Sequence, residues 1–154
     1  MTLLSLRNRQ CTRRVDLRLL RKITIACLKE IFDEPQFELG IHLVAAEEMA
    51  TVNQNFLQHS GSTDVITFDY SASETVLYGE IFISIDDAVS QAKEFRTTWQ
   101  SELVRYIVHG ILHLRGFDDL NAAARKKMKR EENRVARELA GRFPLSKLQR
   151  AAKK

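Results

Sequence analysis

An apolar segment with two histidines four residues apart constrains the fold of this chain more than any other feature. It begins at His109 and reads His-Gly-Ile-Leu-His-Leu-Arg-Gly-Phe-Asp-Asp. Because helical side chains four positions apart share one face, about 6 Å apart along the axis, His109 and His113 can bind the same ion. Gly116 stands where a left-handed helix cap is expected, and a chain that turns there can return Asp118 or Asp119 to that ion. The sequence therefore predicts an apolar helix that ends at a metal site with two imidazoles and one carboxylate.

Each of these residues also has an ordinary structural explanation. A lone histidine on an apolar helix is more often structural than a ligand, and glycine is a common helix cap. Two of the four histidines of the chain at this spacing, followed by a cap and paired aspartates, favour the metal site over those explanations. No general base can be named, because Asp64, Glu80 and Asp118 can equally cap strands or orient a histidine.

Length and composition predict one ordinary domain spanning residues 1–154. The chain has 154 residues, of which 44% are hydrophobic and 29% charged, a composition typical of globular proteins with a single core. No apolar run approaches the roughly 20 residues of a membrane helix, and the apolar start is too short for a secretory signal. Cys11 and Cys27 show no disulfide or metal spacing, which favours a reducing cytoplasm and two inert, buried or half-buried thiols.

Positive charge is concentrated at the C-terminal end. The net charge is +4, but residues 119–154 carry twelve basic and four acidic side chains, so the rest of the chain is net negative. This asymmetry suggests a polyanionic partner, with nucleic acid as the leading candidate. The alternative is a solvated helix face followed by a basic, flexible tail over about 142–154. The best candidates for RNA contact are Arg125, Lys126, Lys127, Lys129 and Arg130.

Hydrophobic periodicity predicts an α+β domain with one central sheet of about four strands and helices packed on it. Strands are predicted at residues 3–10 (an edge strand), 37–45, 65–70 and 76–85, the last two as a hairpin or as neighbours. Helices are predicted at 17–32, 47–58, from 86 to about 96, from a cap at Thr98 or Ser101 through the histidines, and at 121–140 with Gly141 as its end. Phe56, Phe68, Phe82 and Trp99 fall at apolar positions and are predicted to lie in the core.

Three blocks of the sequence match known motifs in a fixed order. Residues 53–57 and 63–68 resemble Asn-x-x-Tyr-Arg followed by Thr-Asp-Val-Leu-Ser-Phe, and residues 79–84 resemble Gly-Asp-Ile-x-Ile-Ser. The segment that begins at His109 matches His-Gly-x-Leu-His-Leu-x-Gly-x-Asp-His except at its last position, where Asp119 stands. In these blocks and their order the chain resembles the YbeY family of bacterial endoribonucleases.

The resemblance implies a fold related to the zinc hydrolases and a metal held by His109, His113 and Asp119. Asp118 is the favoured hydrogen-bond acceptor for a ligating histidine, because such rings usually need a partner for their second nitrogen. One divalent ion is expected, and it is expected to be zinc. A carboxylate binds zinc at about the distance of an imidazole, but it is a harder ligand that also makes manganese or iron acceptable.

The resemblance further implies a cytoplasmic, single-strand-specific, metal-dependent endoribonuclease. Its substrate would be ribosomal RNA, at the 3′ end of 16S RNA in the maturing small subunit. Ribosomal or GTPase proteins would be partners, and a membrane would not. The family's arginine is replaced by Leu57, which removes a phosphate-binding charge. His59 is the nearest candidate to supply it, although an ordinary loop histidine explains that residue as well.

Two other classes of function stay open at this point. One is a metallohydrolase acting on another substrate, such as a peptide, although Gly110 stands where His-Glu-x-x-His peptidases carry their general base. The other is a non-catalytic, RNA-binding ribosome-assembly factor, in which the missing arginine and third histidine reflect lost chemistry.

Overall fold

Strands occupy the first half of the chain and the longest helices occupy the second half. The structure, a computed structural model, describes residues 2–57 and 63–151. The strands are β1 (Thr2–Asn8), β2 (Phe37–Val44), β3 (Val65–Asp69) and β4 (Leu77–Ser84). The helices are α1 (Leu17–Ile25), α2 (Ala46–Val52), α3 (Ile85–Phe95), α4 (Trp99–Leu114) and α5 (Ala122–Arg142). Single π-helical segments, Ala26–Ile31 and Asn53–Leu57, extend α1 and α2, and a 3₁₀ helix, Leu145–Leu148, follows α5.

The strands form one sheet, as predicted, and the sheet is mixed. In the described ranges its four strands lie in the order β1-β2-β4-β3. β1 and β2 are parallel, as are β2 and β4, whereas β3 and β4 are antiparallel neighbours with Thr67 opposite Ile81. Alternation along each strand sends one set of side chains into the core, including Ile41 and Ile81. The prediction of an α+β domain with a central sheet of about four strands is confirmed.

Helix α4 lies at the centre of the molecule and packs on the buried face of the sheet. The Thr98 side chain caps its first turn by accepting a hydrogen bond from the Ser101 amide. It contacts β3, β4, α3 and α5, and it is buried around most of its circumference, as expected of a helix that is apolar on several faces. Gly110 is the point of closest approach, because a methyl group built there would lie 2.7 Å from Ile81 Cδ1.

Two predictions about the C-terminal segment, the end of α5 and the flexible tail, are wrong. Gly141 does not end α5, which continues to Arg142. Residues 143–150 are not a free tail: Leu148 is fully buried, its carbonyl accepts from the Asp16 amide at 2.8 Å, and the Arg150 amide donates to the Arg14 carbonyl at 2.9 Å. One apolar side chain and these backbone bonds secure the segment beside α1, which the net charge of the region could not indicate.

Some of the predicted core positions lie elsewhere. Trp99 is buried, and Phe68 and Phe82 are partly buried in an edge-to-face contact 5.7 Å apart. Phe56 is 67% exposed, because its segment follows α2 as a π-helical extension beyond the last buried turn. Cys27 is buried but Cys11 is exposed. No helix in the described ranges has the length and apolar character needed to cross a membrane.

Replacing Gly110 by alanine is expected to lower the free energy of unfolding. The added methyl group would lie 2.7 to 3.0 Å from three carbon atoms of the fully buried Ile81, and overpacking of this kind outweighs alanine's better helix propensity, for a net loss of about 1–2 kcal/mol. The matched control is Gly141→Ala in α5, where the methyl group meets nothing within 4 Å and a gain of about 0.5–1 kcal/mol is expected. Urea denaturation measures both. A Gly110→Ala variant as stable as Gly141→Ala would contradict the close helix–sheet contact.

The two cysteines are expected to differ sharply in reactivity. Burial raises the pKa of the Cys27 thiol to about 12, so at neutral pH it stays protonated and non-nucleophilic. Cys11 is exposed. Titration of the native protein with a thiol-reactive chromophore should therefore modify one cysteine rapidly, and the second only after denaturation. The Cys11→Ser variant should show no fast phase, and a fast phase there would contradict the burial of Cys27.

Candidate metal centre

The end of α4 brings the predicted ligands together. After Leu114 the chain turns at Gly116, whose φ is +96°, and the amides of Gly116 and Phe117 donate to the carbonyls of His113 and Leu112 at 3.0 Å. Only a residue without a side chain adopts this conformation at low cost. The reversal returns Asp119 to the helix end, where one carboxylate oxygen and one ring nitrogen each of His109 and His113 lie within 4.8 Å of one another.

The two imidazoles face each other through their Nε2 atoms. Nε2 of His109 and Nε2 of His113 are 3.2 Å apart, close to the roughly 3.3 Å that a tetrahedral ion with bonds of about 2.0–2.1 Å imposes on two nitrogens. Each Nδ1 has its own acceptor: a carboxylate oxygen of Glu132 at 2.8 Å for His109, and the Phe117 carbonyl at 3.1 Å for His113. These acceptors assign the ring protons to Nδ1, so two nitrogen lone pairs meet, and a cation between them relieves their repulsion.

Burial and the neighbouring His109 keep the imidazole of His113 neutral. Burial lowers the pKa of His113 below its ordinary value, and the neighbouring His109 lowers it further, whereas Asp119 acts in the opposite direction. A neutral imidazole is the form that binds metal ions. The donor set therefore fits a divalent ion on the chemistry of its nitrogens and on their separation.

Glu132 of α5 anchors this arrangement. Its carboxylate is almost fully buried and accepts from His109 Nδ1 and Arg105 at 2.8 Å and from Lys129 Nζ at 3.2 Å. Burial alone would raise the pKa of Glu132, but the hydrogen bonds from His109 and Arg105, with the charge of Lys129, lower it to about 2. Glu132 is therefore a permanent anion that fixes the orientation of the His109 ring.

The role predicted for Asp118 belongs to other groups in the structure. The Asp118 side chain is exposed and accepts from the Leu120 amide at 3.1 Å, while Glu132 and the Phe117 carbonyl are the acceptors for the two rings. A signal for Glu132 was present in the sequence. The buried stripe of α5 consists of Met128, Glu132, Val135 and Leu139, so a charged residue interrupts an otherwise apolar face.

A cleft of about 350 Å³ opens beside the histidines. One wall is the edge strand β3, and the lining also includes Leu57. Leu57 stands where the YbeY sequence block has an arginine. Leu57 is exposed. The site thus has an apolar group, rather than a cation, at this point. The cleft is lined by Leu57, Val65, Ile66, Thr67, Asp69, His109 and His113.

The predicted RNA-contact residues fall into three groups. Three basic side chains contact the metal region: Arg125 donates to the Asp119 carbonyl at 3.2 Å, Lys127 lies over the Phe117 ring, and Lys129 pairs with Glu132. Lys126 and Arg130 are exposed on the same helix. His59 lies outside the described residues.

Asp64 and Glu80, the other acidic residues in the sequence blocks that resemble the YbeY family, do not join the group of His109, His113 and Asp119. Asp64 lines a second cleft that also includes His109. Glu80 faces away from α4, on the opposite side of the sheet from Ile81, where it bonds His42 Nε2 at 2.9 Å and the Tyr70 hydroxyl at 2.8 Å. Glu80 is therefore not part of the metal centre.

Sequence comparisons with known proteins agree on one family. A family model described as endoribonuclease YbeY matches residues 5–140. A protein of Parabacteroides distasonis named endoribonuclease YbeY is 36% identical over 111 residues, 72% of this chain and 78% of that protein. One of the same name from Phocaeicola vulgatus is 35% identical over 118 residues, 75% and 85% of the two chains. The solution structure of a Thermotoga maritima protein matches 99% of this chain and 100% of its own, with a TM-score of 0.69 and 26% identity.

Replacing Glu132 by glutamine is expected to weaken metal binding. The amide removes the buried negative charge that holds His109, and loss of such a partner typically costs roughly 10- to 100-fold in metal affinity. Glu131→Gln is the matched control, because Glu131 pairs with Arg134 at 2.8 Å and does not contact the histidines. Competition with a zinc-sensitive chelating dye measures both affinities. Equal affinities for the two variants would mean that Glu132 does not support the site.

Proposed function

This chain belongs to the endoribonuclease YbeY family, and from that membership we propose that it is a metal-dependent endoribonuclease. The observation that carries the proposal is the pair of Nε2 atoms 3.2 Å apart, with the Asp119 carboxylate beside them. A hydrolytic metal site needs a small set of ligands and open positions for water and substrate. Two histidines and one aspartate beside an accessible cleft meet that requirement.

Each residue of the site has a distinct part in this proposal. Nε2 of His109, Nε2 of His113 and a carboxylate oxygen of Asp119 hold the ion, while Glu132 and the Phe117 carbonyl orient the two rings. When bound, a divalent cation supplies Lewis-acid chemistry, which activates water and polarises a phosphoryl oxygen. The β3 edge and Leu57 form the walls against which the RNA strand lies. No side chain is assigned as general base.

We propose zinc as the metal. Two imidazoles and a carboxylate form a zinc ligand set. Asp119 is anionic and hard, so it lowers the net charge of the centre and makes manganese or iron better competitors than they would be at a site of three imidazoles.

Ribosomal RNA is the proposed substrate, cleaved in single-stranded regions during maturation of the small subunit in the cytoplasm. Single strands suit the site, because an open cleft beside a sheet edge admits one extended backbone. The cationic α5, with Arg125, Lys126, Lys127, Lys129 and Arg130, supplies phosphate contacts that do not depend on sequence. Ribosomal or GTPase proteins are proposed as partners, and residues 1–154 are proposed to act as one domain.

One observation favours a second candidate function. Leu57 lies on the cleft where the family block has an arginine, so a phosphate-binding charge is missing beside the metal. The loss of this charge is consistent with an assembly factor that binds RNA without cleaving it. The following experiment separates the two functions.

Purified chain loaded with zinc or manganese is expected to cleave a single-stranded oligoribonucleotide, and His113→Ala is expected to bind no metal and to cleave at the background rate. Removal of a ligand leaves too few donors to hold the ion. His42→Ala is unsuitable as a control because His42 is buried and stacked on Phe82. Lys22→Ala, on the exposed face of α1, is the control for an unrelated substitution and should cleave at the rate of the unmodified chain. RNA cleavage by His113→Ala at the rate of the unmodified chain would contradict the proposed function. If the unmodified chain binds RNA but does not cleave it, the result favours the assembly factor.

Asp119 and Asp118 are expected to respond differently to replacement by alanine. Asp119→Ala removes a proposed ligand and should lower metal affinity at least roughly tenfold. Asp118→Ala removes an exposed turn contact and should leave the stoichiometry of about one ion per chain unchanged. Asp119→His should retain the ion and shift the preference from manganese towards zinc, because imidazole is a softer donor than carboxylate. Elemental analysis after equilibration with equal zinc and manganese provides the measurement. Full occupancy in Asp119→Ala would exclude Asp119 as a ligand.

A further inference from the structure

A second cleft shares His109 with the cleft proposed to receive the RNA strand. Its volume is about 420 Å³, within the range of roughly 300–1,000 Å³ typical of small-molecule sites. His109 lines both clefts, so the second cleft adjoins the metal centre. We propose that this cleft holds one nucleotide of the RNA strand next to the cleaved bond, and that it selects a base carrying an exocyclic amino group. This inference rests on the proposed function and names a substrate subsite for it.

Cations at the cleft provide a place for the phosphate of that nucleotide. Arg105 and Lys129 both line it, and their side chains are 32% and 63% exposed. Each shares its charge with the buried Glu132, but a guanidinium has five donors and an ammonium has three, so both retain hydrogen-bonding capacity. They supply positive charge near the metal, which Leu57 does not.

An exposed aromatic ring provides a surface for the base. Phe95, the last residue of α3, lines the cleft and is nevertheless 59% exposed. The chain turns away directly after it, at Arg96, which has a left-handed conformation with φ of 56°. A ring held at the mouth of a cleft with cations on its wall is the arrangement that binds single-stranded nucleic acid by stacking.

The interior of the cleft is rich in fixed hydrogen-bond acceptors. Gln91 is held in place by the Tyr106 hydroxyl, which donates to its side-chain oxygen at 2.8 Å, and its amide donates to Asp64 at 3.3 Å. Glu102 accepts from the Thr97 hydroxyl at 2.7 Å. A carboxylate has capacity for several donors, and acidic side chains accept hydrogen bonds from the amino group of cytosine. The cleft should therefore prefer cytosine to uracil, which has an oxygen in place of the amino group.

The test uses cytidine monophosphate, uridine monophosphate and inorganic phosphate as probes, titrated into the full chain and followed by backbone amide NMR shifts. The His113→Ala variant serves as the background, because it removes phosphate binding by the metal and His113 does not line the second cleft. Cytidine monophosphate should bind about tenfold more tightly than uridine monophosphate, and inorganic phosphate more weakly than either. Phe95→Ala should weaken nucleotide binding about tenfold, and Lys129→Ala should weaken all three probes. The controls are Tyr78→Ala, an exposed aromatic on the open face of the sheet, and Lys22→Ala. Both should bind like the background protein.

Failure of this inference and failure of the proposed function give different results. Specific binding of cytidine monophosphate in a chain that does not cleave RNA would uphold the subsite and remove the nuclease. Three outcomes would overturn the subsite even in an active nuclease: equal binding of the two nucleotides, phosphate binding as tight as nucleotide binding, or an unchanged affinity in Phe95→Ala. In cleavage assays of the unmodified chain, oligonucleotides that differ by one cytosine-to-uracil change should differ in KM about tenfold, and Phe95→Ala should raise the KM of both about tenfold.

Discussion

The hydrogen bond from His109 to the buried carboxylate of Glu132 connects the core to the candidate metal centre. Burying a carboxylate is costly unless it is paired, and here His109, Arg105 and Lys129 all donate to it. The same contacts join α4 to α5 and set the tautomer of a proposed ligand. Packing of the two long helices and chemistry at the end of α4 therefore depend on one group. A change that loosens the interface between α4 and α5 also disturbs the orientation of His109.

Much of this fold could be predicted because the local signals agree with one another. The sheet strands alternate apolar and polar residues, Thr98 fills the N-cap position predicted for it, and Gly116 has the positive φ that its place after α4 requires. The pairing of His109 with His113, and the return of an aspartate at 118 or 119, followed from helical spacing and one turn, while the choice of Asp119 came from the family resemblance. Such features are set within a few residues of the chain, so the sequence alone carries them.

The features that escaped prediction depend on contacts distant in sequence. Glu132 is 23 residues from His109, and only packing of α5 on α4 makes them partners. The order of the strands also depends on contacts between distant residues. β4 pairs with β2, so β3, which precedes β4 in the chain, lies at the edge of the sheet. The C-terminal segment was misjudged because its many charges outweighed one residue, Leu148, whose burial holds the segment in place. The burial predicted for Phe56 was wrong because hydrophobicity does not indicate whether the end of a helix packs against the rest of the protein.

The distribution of charge around α4 gives the substitution at Leu57 a physical context. At this position the metal cleft has an apolar wall, and the cations near His109 come instead from α4 and α5, as Arg105 and Lys129. These cations stabilise the buried Glu132 and, in the inference above, also receive a phosphate. A charge held by a buried anion is pre-organised, because its side chain is already ordered before the substrate arrives. A strand bound in this way would approach the metal from the α5 side, so the part of α5 that carries the cluster from Arg125 to Arg130 would follow the RNA beyond the cleft.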